Sequence, residues 1–70
     1  MTYRVLFIDH ADVVGEYRSE VEARESLAEY IGAHPHLIDE MGILPIDENG
    51  RAAGKVLLAE DVVGQQMQLR

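Results

Sequence analysis

"YRVLFID", residues 3–9, is the stretch on which the fold turns. It is β-branched and aromatic, contains no glycine or proline, and is strand-length rather than helix-length. Alternation along a strand sends Tyr3, Val5 and Phe7 to one face and Leu6 and Ile8 to the other. Both faces of its middle are therefore apolar, the pattern of a central strand that needs cover on two sides. The rest of the chain has to supply those covers or leave one missing.

Moving outward, "DHAD" at 9–12 is a turn, and "VVGEYR" at 13–18 is the second strand of a hairpin, with Gly15 marking a bulge or a close approach. "SEVE" at 19–22 has the capping-box form, in which Ser19 bonds the amide three residues on. A helix over 20–31 follows, because Ala23, Leu27, Tyr30 and Ile31 recur at helical spacing with Val21 and Ala28 alongside. Glu22, Glu25 and Glu29 fall on another face. Glu20 and Arg24 form an acid-first pair four residues apart, worth about 0.2–0.5 kcal/mol. Gly32 is expected to stop this helix in the left-handed conformation.

"GAHPHLIDE" at 32–40 admits two readings. His34 precedes Pro35, which pushes it out of helical geometry, while Pro35 suits the first position of a new turn carrying Leu37, Ile38 and Met41 and ended by Gly42. His36, Asp39 and Glu40 lie three and four apart, a ligand-like spacing. A metal centre also needs a closed ligand set oriented by further hydrogen bonds, which one short turn does not offer. The segment reads as a helix joint with a solvated surface, with no metal, cofactor or catalytic residue assigned. The alternative is a small metal-dependent or acid/base enzyme using His34, His36, Asp39 and Glu40.

"GILPID" at 42–47 is a third strand, placed at a sheet edge because Pro45 cannot donate to a ladder. "DENGR" at 47–51 is a hairpin turn around Asn49-Gly50, and "KVLLAE" at 55–60 is the returning strand. In the tail "VVGQQMQLR", 62–70, Val63, Met67 and Leu69 alternate with Gly64, Gln66 and Gln68, which favours a fifth strand. Asp-Val-Val-Gly occurs at 12–15 and again at 61–64, either by coincidence or because two hairpins are built alike. The expected fold is a single α+β domain over 1–70, of order β-β-α-β-β, its antiparallel hairpins packed on one helix, with the C-terminal tail left open between a fifth strand and a helix.

A chain of 70 residues and 7.8 kDa buries only about 60% of the surface its unfolded form exposes. Without cysteine it has neither disulfides nor a thiolate metal site, so association is the remaining staple for so small a core. The formal charge of −7 repels phosphate backbones and anionic lipid, and Arg4, Arg18, Arg24, Arg51, Lys55 and Arg70 are scattered. Direct nucleic-acid and membrane binding are disfavoured, whereas a protein partner with a basic surface fits. "MTYRVLFIDHAD" lacks a basic segment before an apolar signal core, and the apolar run Val5–Ile8 is far short of a membrane span, so the expected location is cytoplasmic.

"LFIDHAD" resembles the strand ends of haloacid dehalogenase-like phosphatases and response regulators, which carry a reactive or metal-binding aspartate. The phosphatase pattern is Asp-x-Asp, whereas Asp9 and Asp12 are three apart, and both folds need a parallel sheet of about twice this length. No family is assigned. Ser19 is better explained as a cap than as a nucleophile, and "ENGRAAGK" lacks the spacing of a phosphate-binding loop.

One helix covers one face of a small sheet. Leu6, Ile8, Leu44, Ile46, Val56 and Leu58 cannot all lie under it while Val5, Phe7, Ile43 and Leu57 do. The uncovered face implies association with a second copy or another protein, unless the sheet curls and the C-terminal tail closes it. Glu22, Glu25 and Glu29, with Glu16, would form a negative stripe that steers a basic partner, or imitates a phosphate track as DNA-mimicking inhibitors do. The functional expectation is a small acidic interaction protein of inhibitor, antitoxin, immunity or accessory-subunit type, a homo-oligomer or part of a hetero-complex. Its expected contact residues are Glu22, Glu25, Glu29, Leu6, Ile8, Val56 and Leu58.

Overall fold

The computed structural model describes residues 1–10 and 12–68. The expected turn at 9–12 is thus described apart from Ala11, and the last two residues of the expected tail strand lie outside the described residues. Four strands, β1 (Thr2–Phe7), β2 (Val13–Tyr17), β3 (Met41–Ile46) and β4 (Leu57–Leu58), form one antiparallel sheet in the order β2-β1-β3-β4. Two helices, α1 (Glu20–Ala33) and α2 (Ala59–Gln68), complete an α+β fold. β1 is interior, as its two apolar faces require.

The Ser19 cap forms as expected, its Oγ accepting the Glu22 amide at 3.1 Å. Gly32 does not stop α1. It has no left-handed φ, and the helix runs on to Ala33, with His34 capping it at φ −136° and ψ 70° and donating its amide to the Ile31 and Tyr30 carbonyls. Pro35 is the physical cause, because the residue before a proline is excluded from helical geometry. Pro35 then opens a single 3-10 turn, Pro35–Leu37, and β3 spans Met41–Ile46 rather than 42–47.

Ala23, Leu27 and Ile31 of α1 pack with Val5, Met41 and Ile43 of the sheet and with Ala59 and Val62 of α2, forming the core. Val21, expected beside that stripe, is instead 63% exposed. It sits about 160° around the helix axis from Ala23, at roughly 100° per residue, on the outer side. Tyr17 ties β2 to α1 through a 2.6 Å hydrogen bond between its hydroxyl and Ser26 Oγ. The ladder between β1 and β2 is irregular where Val14 is the extra residue beside Gly15, and a Cβ on Gly15 would lie 2.8 Å from the Tyr17 hydroxyl. Gly15 therefore marks both a bulge and a close approach.

β3 is not a sheet edge, since β1 lies on one side and β4 on the other. Pro45 is tolerated for a different reason. Its carbonyl accepts the Ala53 amide at 2.8 Å, so its nitrogen points the same way, away from β1. On that side the ladder breaks: three steps along β3, from Ile46 to Ile43, are matched by five steps on the returning chain, from Ala52 to Leu57. The turn before it forms as read, with Gly50 at φ 81° and Asp47 Oδ1 accepting the amides of Asn49 and Arg51. The return strand is only Leu57–Leu58 rather than 55–60, because the ladder is broken between Ala52 and Leu57 and α2 starts at Ala59.

The described tail is a helix, not a fifth strand. Ala59, Val62 and Val63 recur at helical spacing, and Ala59 and Val62 are buried against the core, with α2 packed on α1. The shared Asp-Val-Val-Gly leads into and forms strand at 12–15 but is helical at 61–64, so the two copies are not parts of like hairpins. The chain therefore has two helices, not one, and both lie on the same side of the sheet.

Candidate functional site

Cross-strand register identifies the face that the helices leave open. Residues directly opposite each other in a ladder share a face. Leu6 lies opposite Val13 on one side and Gly42 on the other, and Gly42 lies opposite Leu58, so one row crosses all four strands as Val13, Leu6, Gly42, Leu58. Val14 is the extra residue of the bulge beside Val13. Arg4 with Leu44 and Thr2 with Ile46 form the next rows. A Cβ placed on Gly42 would meet Val56 Cγ1 and Ile8 Cδ1, which puts both of those side chains on this same face.

The expected contact residues divide by burial. Leu6 is buried, as is Ile46, and they form an apolar floor, with Leu44 and Val56 half-buried. Ile8 at 38%, Val14 at 43%, Leu58 at 47% and Val13 at 50% stand exposed above it. Val13 and Val14 were not among the expected contact residues; their membership depends on a register that the hydrophobic pattern alone does not fix. The described part of the tail does not close this face, since α2 packs against α1 on the other side.

Charge is sparse among the strand residues of the open face. Among its strand residues only Arg4 and Glu16 are charged, and they pair at 2.7 Å. This exposed pair contributes about 0.2–1 kcal/mol. Its more useful consequence is a correction: Glu16 belongs to the sheet face and not to the acidic stripe of α1. Glu22, Glu25 and Glu29 do share one exposed face of α1, opposite the buried Ala23, Leu27 and Ile31. Glu20 pairs with Arg24 at 3.3 Å.

The histidine segment forms a joint. The Tyr30 and His34 rings are 5.1 Å apart, the His34 and His36 rings meet edge-on at 6.0 Å, and both histidines are exposed. Among the described residues no group of three or more histidine or carboxylate side chains is arranged to hold a metal ion. Glu40 belongs elsewhere: its carbonyl accepts the Ile8 amide at 2.8 Å, and this joins it to the end of β1. There Phe7, Asp9, His10, Asp12 and Glu40 line a cavity of about 170 Å³. The sequence held one hint of this, the density of polar groups in "DHAD", but no indication that Glu40 would join them.

No helix among the described residues is long and apolar enough to cross a membrane. No family model, no curated protein and no solved structure matches this chain.

Proposed function

We propose that the chain works by contact, as a small acidic protein-interaction module of inhibitor, antitoxin, immunity or accessory-subunit type. The observation that carries this reading is the uncovered second face of the sheet, where Ile8, Val13, Val14 and Leu58 are exposed over an apolar floor. A contiguous apolar patch on so small a domain is the mark of a docking surface. The acidic outer face of α1 supplies the second element. Glu22, Glu25 and Glu29 would steer a protein partner with a basic surface, raising its association rate more than its final affinity.

The test sets contact against catalysis. Reversal of charge in a Glu25→Lys, Glu29→Lys double variant should slow association with the partner recovered from the native host and flatten its salt dependence, with the fold intact. His34→Ala with His36→Ala should leave binding unchanged. An enzyme using His34, His36, Asp39 and Glu40 requires the opposite order, with the histidines essential and the glutamates dispensable, and that outcome would replace this proposal.

A further inference from the structure

We infer that the open sheet face is the interface between two copies of this chain, packed sheet on sheet with the helices outermost. This rests on the contact reading above and names the occupant of the apolar face.

Charge selects a second copy over other partners. The chain carries −7, so most of its surface would set acid against acid if two copies met. The open face is the exception, because its two strand charges, Arg4 and Glu16, already neutralise each other at 2.7 Å. A basic partner finds no uncompensated countercharge among those strand residues. A second copy meets a neutral apolar surface like its own, which is what a self-complementary two-fold interface needs.

Geometry removes the remaining repulsion. Sheets pack face to face about 10 Å apart, with side chains of both inner faces interdigitating. The shortest dimension of the chain is 17 Å, one sheet and one helix layer thick. Two such slabs with their sheets about 10 Å apart place the Glu22, Glu25 and Glu29 stripes of the two copies on opposite outer surfaces, roughly 40 Å apart against a screening length of about 8 Å. The dimer would therefore present two acidic helix faces outward, free for a basic partner.

Area sets the strength. The 19 residues of the four strands, each occupying about 4.8 by 3.3 Å, give a face on the order of 300 Å² per copy. Standard interfaces bury about 800 Å² per partner, so this dimer is a weak one whose population rises with concentration.

Sedimentation equilibrium of the whole chain, from about 1 to 500 µM so as to span weak association, tests this. The expected result is a rise with concentration from 7.8 kDa towards twice that mass. Val13→Lys and Leu58→Lys place charges at positions that are 50% and 47% exposed, where the monomer fold tolerates them; circular dichroism melts verify this. Each should weaken the dimer at least about tenfold, as repulsive charge in an apolar interface does, whereas Glu25→Lys should leave it as strong or stronger. A chain that stays at 7.8 kDa throughout overturns the inference. So does a dimer indifferent to both lysines, which would use another surface. A monomeric chain that still binds a protein partner in a Glu25- and Glu29-dependent way would sink self-docking alone and leave the contact reading standing.

Discussion

Gly42 is the residue on which the sheet's geometry can be tested most sharply. It sits in β3 opposite both Leu6 and Leu58, at the middle of the apolar row. A methyl group there would lie 2.7 Å from Val56 Cγ1, 2.8 Å from the Leu57 carbonyl oxygen and 3.2 Å from Ile8 Cδ1. Val56 and Ile8 can shift, but the Leu57 oxygen is backbone of the adjoining strand and cannot move without separating β4 from β3. Overpacking of this kind costs about 1–3 kcal/mol. The smaller unfolded-state entropy of alanine returns about 0.4–1 kcal/mol. Gly42→Ala should thus destabilise the domain by about 1 kcal/mol net, lowering Tm by about 4–8 °C in a domain of this size. Gly32→Ala is the matched control: nothing lies within 4 Å of its added Cβ, its φ is not positive, and it sits inside α1. That substitution should raise stability by about 0.5–1 kcal/mol. Thermal melts of the two variants by circular dichroism should move in opposite directions. A Gly42→Ala protein as stable as the parent would refute the close approach of β4 to β3 and the placement of Val56 and Ile8 over the row.

Two further outcomes test how α1 is held. Ser19→Ala removes the side chain that accepts the Glu22 amide and should cost about 0.5–2 kcal/mol in urea unfolding, with the slope unchanged. Tyr17→Phe removes the 2.6 Å bond to Ser26 and should cost about 0.5–1.5 kcal/mol, and a double-mutant cycle with Ser26→Ala should show the two losses to be strongly non-additive.

The elements that could be read directly from the sequence are those decided by local signals. The interior position of β1, the Ser19 cap, the Asn49-Gly50 turn and the proline-broken joint at His34 each depend on a few adjacent residues. The misread elements depend on residues outside the window that was read. From Val62 onward the tail alternates like a strand, and only when Ala59 is included does the helical spacing of Ala59, Val62 and Val63 emerge. Asp-Val-Val-Gly illustrates the same limit, being compatible with a strand beside β1 and with a helix against α1. Tertiary contact decides between them, as it commonly does for segments of weak intrinsic preference. Pro45 cannot donate to a ladder, which points to a sheet edge, yet β3 is interior, because a strand can lose its partner for a few residues and regain it at Ile43.

The candidate surface shows the same division. Its period-two half was legible, since Leu6 and Ile8 must leave the face that Val5 occupies. The pairing of Glu16 with Arg4 and the arrival of Val13 beside Leu6 required the β1–β2 register, which a bulge displaces by one residue. The shortage of cover was also legible, although the sequence suggested that a single helix caused it. The described residues hold two, and the second face still exposes Ile8, Val13, Val14 and Leu58, for a topological reason. α2 starts at Ala59, the residue immediately after β4, and no connection intervenes that could carry it around the sheet edge. Ala59 and Val62 must then bury on the side α1 already occupies, where they join Leu27 and Ile43 in the core. Adding the second helix thickens the covered side and supplies nothing to the other. The exposure of Ile8, Val13, Val14 and Leu58 is therefore a consequence of connectivity: neither helix can reach the face on which they stand.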